Sequence, residues 1–132
     1  MTSLPPQPLS PLDGRYRAAV SALADHLSEA GLNRARIEVE VEWLIALTDR
    51  SLFGTHPLGD TDKDRLRVLY LDFGPREIDW LAEREAVTRH DVKAVEYLVR
   101  DRLSQLGLDA IAELTHFACT SEDVNNTAYA LT

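Results

Sequence analysis

An all-α fold is what this 132-residue sequence predicts, on three observations. Apolar residues recur at helical spacing along most of the chain, and glycine and proline stand where those stripes stop. The one segment that alternates in the manner of a strand has no second such segment to pair with.

Taking the elements in order, Pro5, Pro6, Pro8 and Pro11 make residues 1–11 an extended, proline-rich arm. After Tyr16, the spacing of Val20, Leu23, Ala24 and Leu27 predicts a first helix, with Gly31 as its C-terminal stop. Ile37-Glu38-Val39-Glu40-Val41-Glu42-Trp43 alternates strictly and would read as a half-exposed strand. An unpaired strand leaves its backbone polar groups unsatisfied, whereas Ile37, Val41, Leu44, Ile45 and Thr48 also fit one helix face. A helix from about Asn33 to Arg50 is therefore expected. Leu66, Leu69, Tyr70 and Phe73 mark a helix from Thr61 to Phe73, which Gly74-Pro75 ends while placing proline at the start of the next. That next helix carries Ile78, Leu81 and Ala82. Val92, Val95, Val99, Leu103 and Leu106 mark a further helix, capped by Asp91 and closed by Gly107. Asp109 is expected to cap a short piece leading to Phe117.

Composition bounds the function. The chain has the length of one ordinary domain, and 45% hydrophobic with 27% charged residues is the balance of a globular protein able to bury a core. A net charge of −8 argues against non-specific nucleic-acid binding, which needs clustered Lys and Arg to displace counterions. No apolar run has the length of a signal peptide core or a membrane span, so no membrane partner is expected. Cys119 is the only cysteine and cannot form an intramolecular disulfide, and no Cys/His pair has zinc-ligand spacing. A reducing, cytoplasmic setting and no structural metal are the expectations.

Three polar constellations stand outside the apolar stripes. Thr120-Ser121-Glu122-Asp123 has the form of a capping box, a hydroxyl followed three residues later by an acid. The same geometry suits a carboxylate or phosphate, because a helix N-terminus presents free amides and a partial positive charge beside the two hydroxyls. Thr88-Arg89-His90-Asp91-Val92-Lys93 sits at a second loop-to-helix junction; there Asp91 reads first as a cap and His90 as a surface residue. Coupled to Asp91 or to a bound anion, His90 could donate a hydrogen bond or a proton to a substrate. Asp13-Gly14-Arg15-Tyr16 is in the first place a turn, but Arg15 also offers a fork for a phosphate and Tyr16 a hydroxyl beside it. Together they make a coherent inventory for binding an anion.

Four blocks carry a family resemblance: Ser10 to Tyr16, Arg36 to Trp43, His90-Asp91-Val92-Lys93-Ala94-Val95-Glu96-Tyr97, and His116 to Asn126. In order and spacing they resemble the N-terminal region of adenylosuccinate lyases. The Thr-Ser-x-Asp element alone is shared across the fumarase/aspartase superfamily and leaves fumarase, argininosuccinate lyase or a cycloisomerase open; the block from His90 to Tyr97 narrows the likeness to the purine enzyme. The resemblance implies β-elimination of fumarate, from adenylosuccinate to AMP and from the succinyl-carboxamide ribotide to its carboxamide, with no metal or organic cofactor.

Carried over by position, the resemblance gives Arg15 and Tyr16 the phosphate end of the nucleotide. It makes Arg89, His90 and Asp91 a substrate-binding trio in which His90 assists the acid chemistry and Arg89 flanks the site. Thr120 and Ser121 would hold the succinyl carboxylate. The family's base, a serine on a mobile loop, and its principal acid, a histidine of the central helical bundle, are expected beyond Thr132. His116 is expected to pack or to hydrogen-bond locally. The resemblance further implies an N-terminal helical domain over residues 12–118 and the first turns of the central bundle over 119–132. The whole enzyme would be a homotetramer with shared sites, and this chain alone an inactive monomer or weak dimer. The rival from another class is a non-catalytic, acidic helical interaction module.

Overall fold

The computed structural model describes residues 7–132, so Pro5 and Pro6 of the expected arm lie outside the described residues. Within them the chain is helical throughout, with no strand. The α-helices are α1 (Ala24–Leu27), α2 (Glu29–Asp49), α3 (Asp60–Leu71), α4 (Pro75–Thr88), α5 (Asp91–Gln105) and α6 (Ser121–Leu131). Short 3-10 turns cover Ser21–Leu23, Leu52–Gly54 and Asp109–Leu114.

α2 is the axis of the molecule, packed by α1, α3, α5 and α6. The alternating segment is helical, and its apolar stripe enters the core as expected: Ile37, Val41 and Leu44 are fully buried against Val95, Val99 and Leu103 of α5 and Leu66 of α3. Each such side chain contributes about 1.5–3 kcal/mol relative to exposure, so burial outweighs the local β-propensity of Ile37, Val39 and Val41. Arg67 of α3 grips Glu42 of α2 through both carboxylate oxygens at 2.7 and 2.9 Å, and the Tyr70 hydroxyl donates to the same carboxylate at 3.0 Å.

The expected first helix is replaced by turns through residues 11–20, the 3-10 turn, and only one turn of α1. Its stripe finds no core: Leu23 and Leu27 are exposed, and a short helix without tertiary packing is marginal. The Asp13 carboxylate instead takes the amides of Leu9 and Ser10 at 3.0 and 2.7 Å, closing a local turn.

Gly31 is not a stop. It lies in the first turn of α2, where Ser28 is the N-cap and its Oγ accepts the Gly31 N–H at 3.0 Å. The reason for glycine is close approach, since a Cβ there would stand 2.6 Å from the Asp25 carbonyl oxygen. α2 consequently begins at Glu29 rather than near Asn33 and ends at Asp49, with Arg50 as its C-cap.

The later junctions follow the expected punctuation more closely. Pro75 opens α4, with the Glu77 carboxylate taking the Gly74 amide at 3.1 Å. Gly107, at φ +73°, closes α5 with its amide on Ser104 and that of Leu108 on Leu103. α3 spans Asp60–Leu71, leaving Phe73 beyond its end. Asp109 makes no side-chain cap bond; it is the first residue of the 3-10 turn that leads toward Phe117. The cap of α5 is His90 rather than Asp91.

Candidate functional site

The starts of α5 and α6 lie side by side. His90 has extended backbone angles, and its Nδ1 accepts the Lys93 amide at 3.1 Å, an unusual N-cap. That bond fixes the tautomer: Nδ1 must carry its lone pair, so the proton of the neutral ring is on Nε2. Nε2 lies 3.4 Å from Oγ of Ser121, the first residue of α6. A donor on one helix start thus faces a hydroxyl on the other.

Thr120 and Asp123 form the capping box that their spacing predicts. Thr120 Oγ1 accepts the Asp123 amide at 3.3 Å, while Asp123 Oδ2 accepts the Thr120 amide and hydroxyl at 2.7 and 2.9 Å. These donations from Thr120 hold the Asp123 carboxyl below its ordinary value.

Beneath the two helix starts is Arg36 of α2, 4% exposed. Its Nη2 donates to Asp91 Oδ2 at 2.7 Å, its Nε to Asn125 Oδ1 at 2.9 Å and its Nη1 to Asn33 Oδ1 at 2.8 Å. Asp91 Oδ1 takes the Val92 amide at 2.9 Å, so both carboxylate oxygens are engaged inside the protein. Burial pulls the Asp91 carboxyl upward, but the Val92 amide and the Arg36 guanidinium outweigh it and leave it below its ordinary value.

The segment leading into α6 is held from the same helix. His116 and Ala118 adopt left-handed backbone angles, φ 61° and 59°, without being glycine. Glu40, whose side chain has no exposure, contacts His116 Nδ1 at 2.5 Å through Oε1 and accepts the His116 amide at 3.1 Å through Oε2. Trp43 Nε1 donates to the Phe117 carbonyl at 2.8 Å. Arg36, Glu40 and Trp43 thus form a polar stripe on α2 at helical spacing, each reaching a different part of the segment that ends in Thr120, Ser121 and Asn125.

Of the residues singled out in the sequence, the structure brings together His90, Asp91, Thr120 and Ser121. It does not bring Arg15 and Tyr16 to them: the Arg15 guanidinium lies 4.7 Å from the centre of the neighbouring Tyr16 ring, and no hydrogen bond or ion pair among the described residues joins either to the group. Arg89 is the C-cap of α4 at φ 52° and is exposed. Cys119 has its thiol pushed up by burial and by the carboxylates of Glu40 and Asp123, which suits a packing residue better than a nucleophile. Sequence reasoning missed Arg36, Glu40 and Asn125. The available signal was charge at helical spacing inside an otherwise apolar stripe, since Arg36 and Glu40 flank Ile37 on the face that enters the core.

Among the described residues no group of three or more His, Cys, Asp or Glu is placed to hold a metal ion, and no helix is long and apolar enough to cross a membrane. An apolar groove of about 630 Å³ runs between α2 and α6, lined in part by Val39, Trp43, Ala46, Val124 and Leu131.

No protein-family model matches the chain. Among curated proteins it is 40% identical over 125 residues to the adenylosuccinate lyase of Escherichia coli K12, a match covering 93% of this chain and 27% of that protein. The adenylosuccinate lyase of Haemophilus influenzae is likewise 40% identical over 125 residues, and that of Dictyostelium discoideum 36% identical over 129. The chain therefore spans about a quarter of the length of the relatives it matches.

Proposed function

From a chain that matches adenylosuccinate lyases along 93% of its length, we infer a substrate-binding role in a carbon–nitrogen lyase, the elimination of fumarate from a succinyl-substituted purine nucleotide or its ribotide precursor. The observation that carries the reading is the meeting of two helix starts at His90 Nε2 and Ser121 Oγ, 3.4 Å apart. Helix N-termini stabilise anions through free amides and the helix dipole, and here the start of α6 lies beside a ring N–H from the cap of α5 and carries a hydroxyl of its own. A succinyl carboxylate is the group that would use this arrangement.

In this reading Ser121 supplies the hydroxyl and the start of α6 its unused amides. Thr120 contributes by holding the cap rather than by contact, since its hydroxyl is taken by Asp123. His90 donates through Nε2 and assists the protonation of the leaving nitrogen, whereas Asp91 acts through Arg36. Arg15 and Tyr16 would take the phosphate end, with Arg89 flanking; that assignment rests on the resemblance alone. The elimination also needs a base to remove a proton from the succinyl group and a principal acid. By the resemblance both come from parts of the lyase other than these residues. The domain division is proposed likewise: residues 12–118 form the helical N-terminal domain, and α6 leads the central bundle of a homotetramer, with the groove beside it facing further bundle helices.

The test is a titration of adenylosuccinate and of AMP into the chain, followed by amide shifts. Adenylosuccinate should move Ser121, Glu122 and His90, and AMP should move them less, because it lacks the succinyl group. Shifts confined to other regions, or none at saturating ligand, would remove the carboxylate site from this chain.

A further inference from the structure

A single buried residue bonds to both halves of the site. His90 and Ser121 stand at the starts of different helices, and the hydrogen bond between them is long, 3.4 Å, and exposed, too weak by itself to align two helices. A stronger, buried connection lies underneath. Arg36 is 4% exposed and donates from Nη2 to Asp91, the residue after His90, at 2.7 Å. From Nε it donates to Asn125, one helical turn after Ser121, at 2.9 Å. A third donor, Nη1, is anchored on Asn33 of its own helix at 2.8 Å, so the plane of the guanidinium is fixed from behind.

We propose that Arg36 is the positioning residue of the site, its rigid planar fork holding the first turns of α5 and α6 at the one separation that lets His90 and Ser121 act on the same anionic group. The choice of arginine follows. Three donors pointing in fixed, divergent directions within one plane meet three acceptors on three helices, which a lysine ammonium on a flexible stem cannot reproduce. Asp91 and Asn125 act through this contact rather than on a ligand. The proposal rests on the functional reading above only for the identity of what His90 and Ser121 jointly bind; the alignment itself is a property of the free chain.

The test is a coupling measurement on the ligand-free chain. Ring nitrogen shifts of His90 are recorded for the parent, Ser121→Ala, Arg36→Lys and the double variant, and the same set is repeated with Asn125→Ala in place of Arg36→Lys. Asn125→Ala removes only the α6 arm and leaves the Arg36–Asp91 pair, so it remains informative if Arg36→Lys fails to fold. Ser121→Ala should move the His90 Nε2 resonance in the parent, and by less than half as much in either variant background. An undiminished response in a folded variant would reduce Arg36 to an ordinary buried ion pair and overturn the proposal, as would a parent His90 that does not sense Ser121 at all. A titration with succinate on the same samples separates the two ideas. Parent shifts at Ser121 that weaken at least fivefold in Asn125→Ala support both, whereas intact coupling without any succinate response keeps the positioning role and removes the carboxylate reading.

Discussion

Both oxygens of the Glu40 carboxylate are taken by one residue, His116, whose ring and amide they meet at 2.5 and 3.1 Å with the Glu40 side chain wholly buried. Burial pushes the Glu40 carboxyl above its ordinary 4.5, and the contacts with His116 only partly oppose that. A group that binds its proton more tightly in the folded state stabilises the fold below its unfolded value, and that contribution is lost as pH rises through the folded value. Stability against urea should therefore decline with pH just above 4.5. Glu40→Gln should flatten that part of the profile; an unchanged slope would show that Glu40 is not its source.

Asp91 and Asp123 act in the opposite sense. Both are held below 3.8, so their contribution is present above that value and disappears as pH falls through their lower folded values. Acid unfolding should be eased by Asp123→Asn, with the difference between variant and parent shrinking below pH 3.8, which unfolding followed by circular dichroism would show.

The cap that His90 supplies and its proposed donation through Nε2 can be separated by substitution. His90→Ala removes the cap and the ring together, costing about 0.5–2 kcal/mol of stability. His90→Asn restores a capping side chain but not the Nε2 donor. In a whole lyase containing this segment, both variants should lose turnover strongly, while only His90→Ala should lower the melting temperature of the chain. Full turnover in His90→Asn would confine His90 to capping.

At Gly31 an alanine would gain about 1 kcal/mol of helix propensity but would push its Cβ against the backbone of Asp25, an overpacking that costs roughly 1–3 kcal/mol. The contact would be 2.6 Å to a carbonyl oxygen, which cannot swing away as a side chain can, so the penalty should win. Gly31→Ala is expected to lower the melting temperature; a rise would mean that α1 shifts freely.

Leu44 is fully buried where α2 meets the rest of the core. Leu44→Ala should cost about 2–5 kcal/mol, read as a fall in the denaturant midpoint, with the larger value expected if α3 and α5 cannot close on the space.

Where one helix met a core, its apolar period was legible in the sequence: Leu66 and Leu69 of α3 and Val92, Val95, Val99 and Leu103 of α5 are buried as their spacing implies. The Thr120–Asp123 box was legible too, because a cap is a local device. Two features were not. The pattern of Leu23 and Leu27 is helical, yet most of that helix does not form, since periodicity records an apolar face and not whether anything covers it. In α2 the helix and its apolar face were legible, but not the polar residues buried with them. Its buried face carries Arg36 and Glu40 among Ile37, Val41 and Leu44, and an apolar period marks a face without saying which charged neighbours are buried with it. Their partners, Asp91, Asn125 and His116, are far along the chain, with separations of 55 to 89 residues, and no local rule relates such positions.

The stripe of Arg36, Glu40 and Trp43 has a dynamic consequence. A helix rises about 1.5 Å per residue and hardly stretches, so three anchors on one face impose its rigidity on whatever they hold. The segment from Thr115 to Thr120 has no α-helical ladder of its own, and such stretches ordinarily exchange their amide hydrogens within the lifetime of small openings. The amide of His116 is bonded to a carboxylate inside the core, so its exchange should follow the opening of α2 itself. The approach to Ser121 is thus a loop in shape and a piece of the core in its motions.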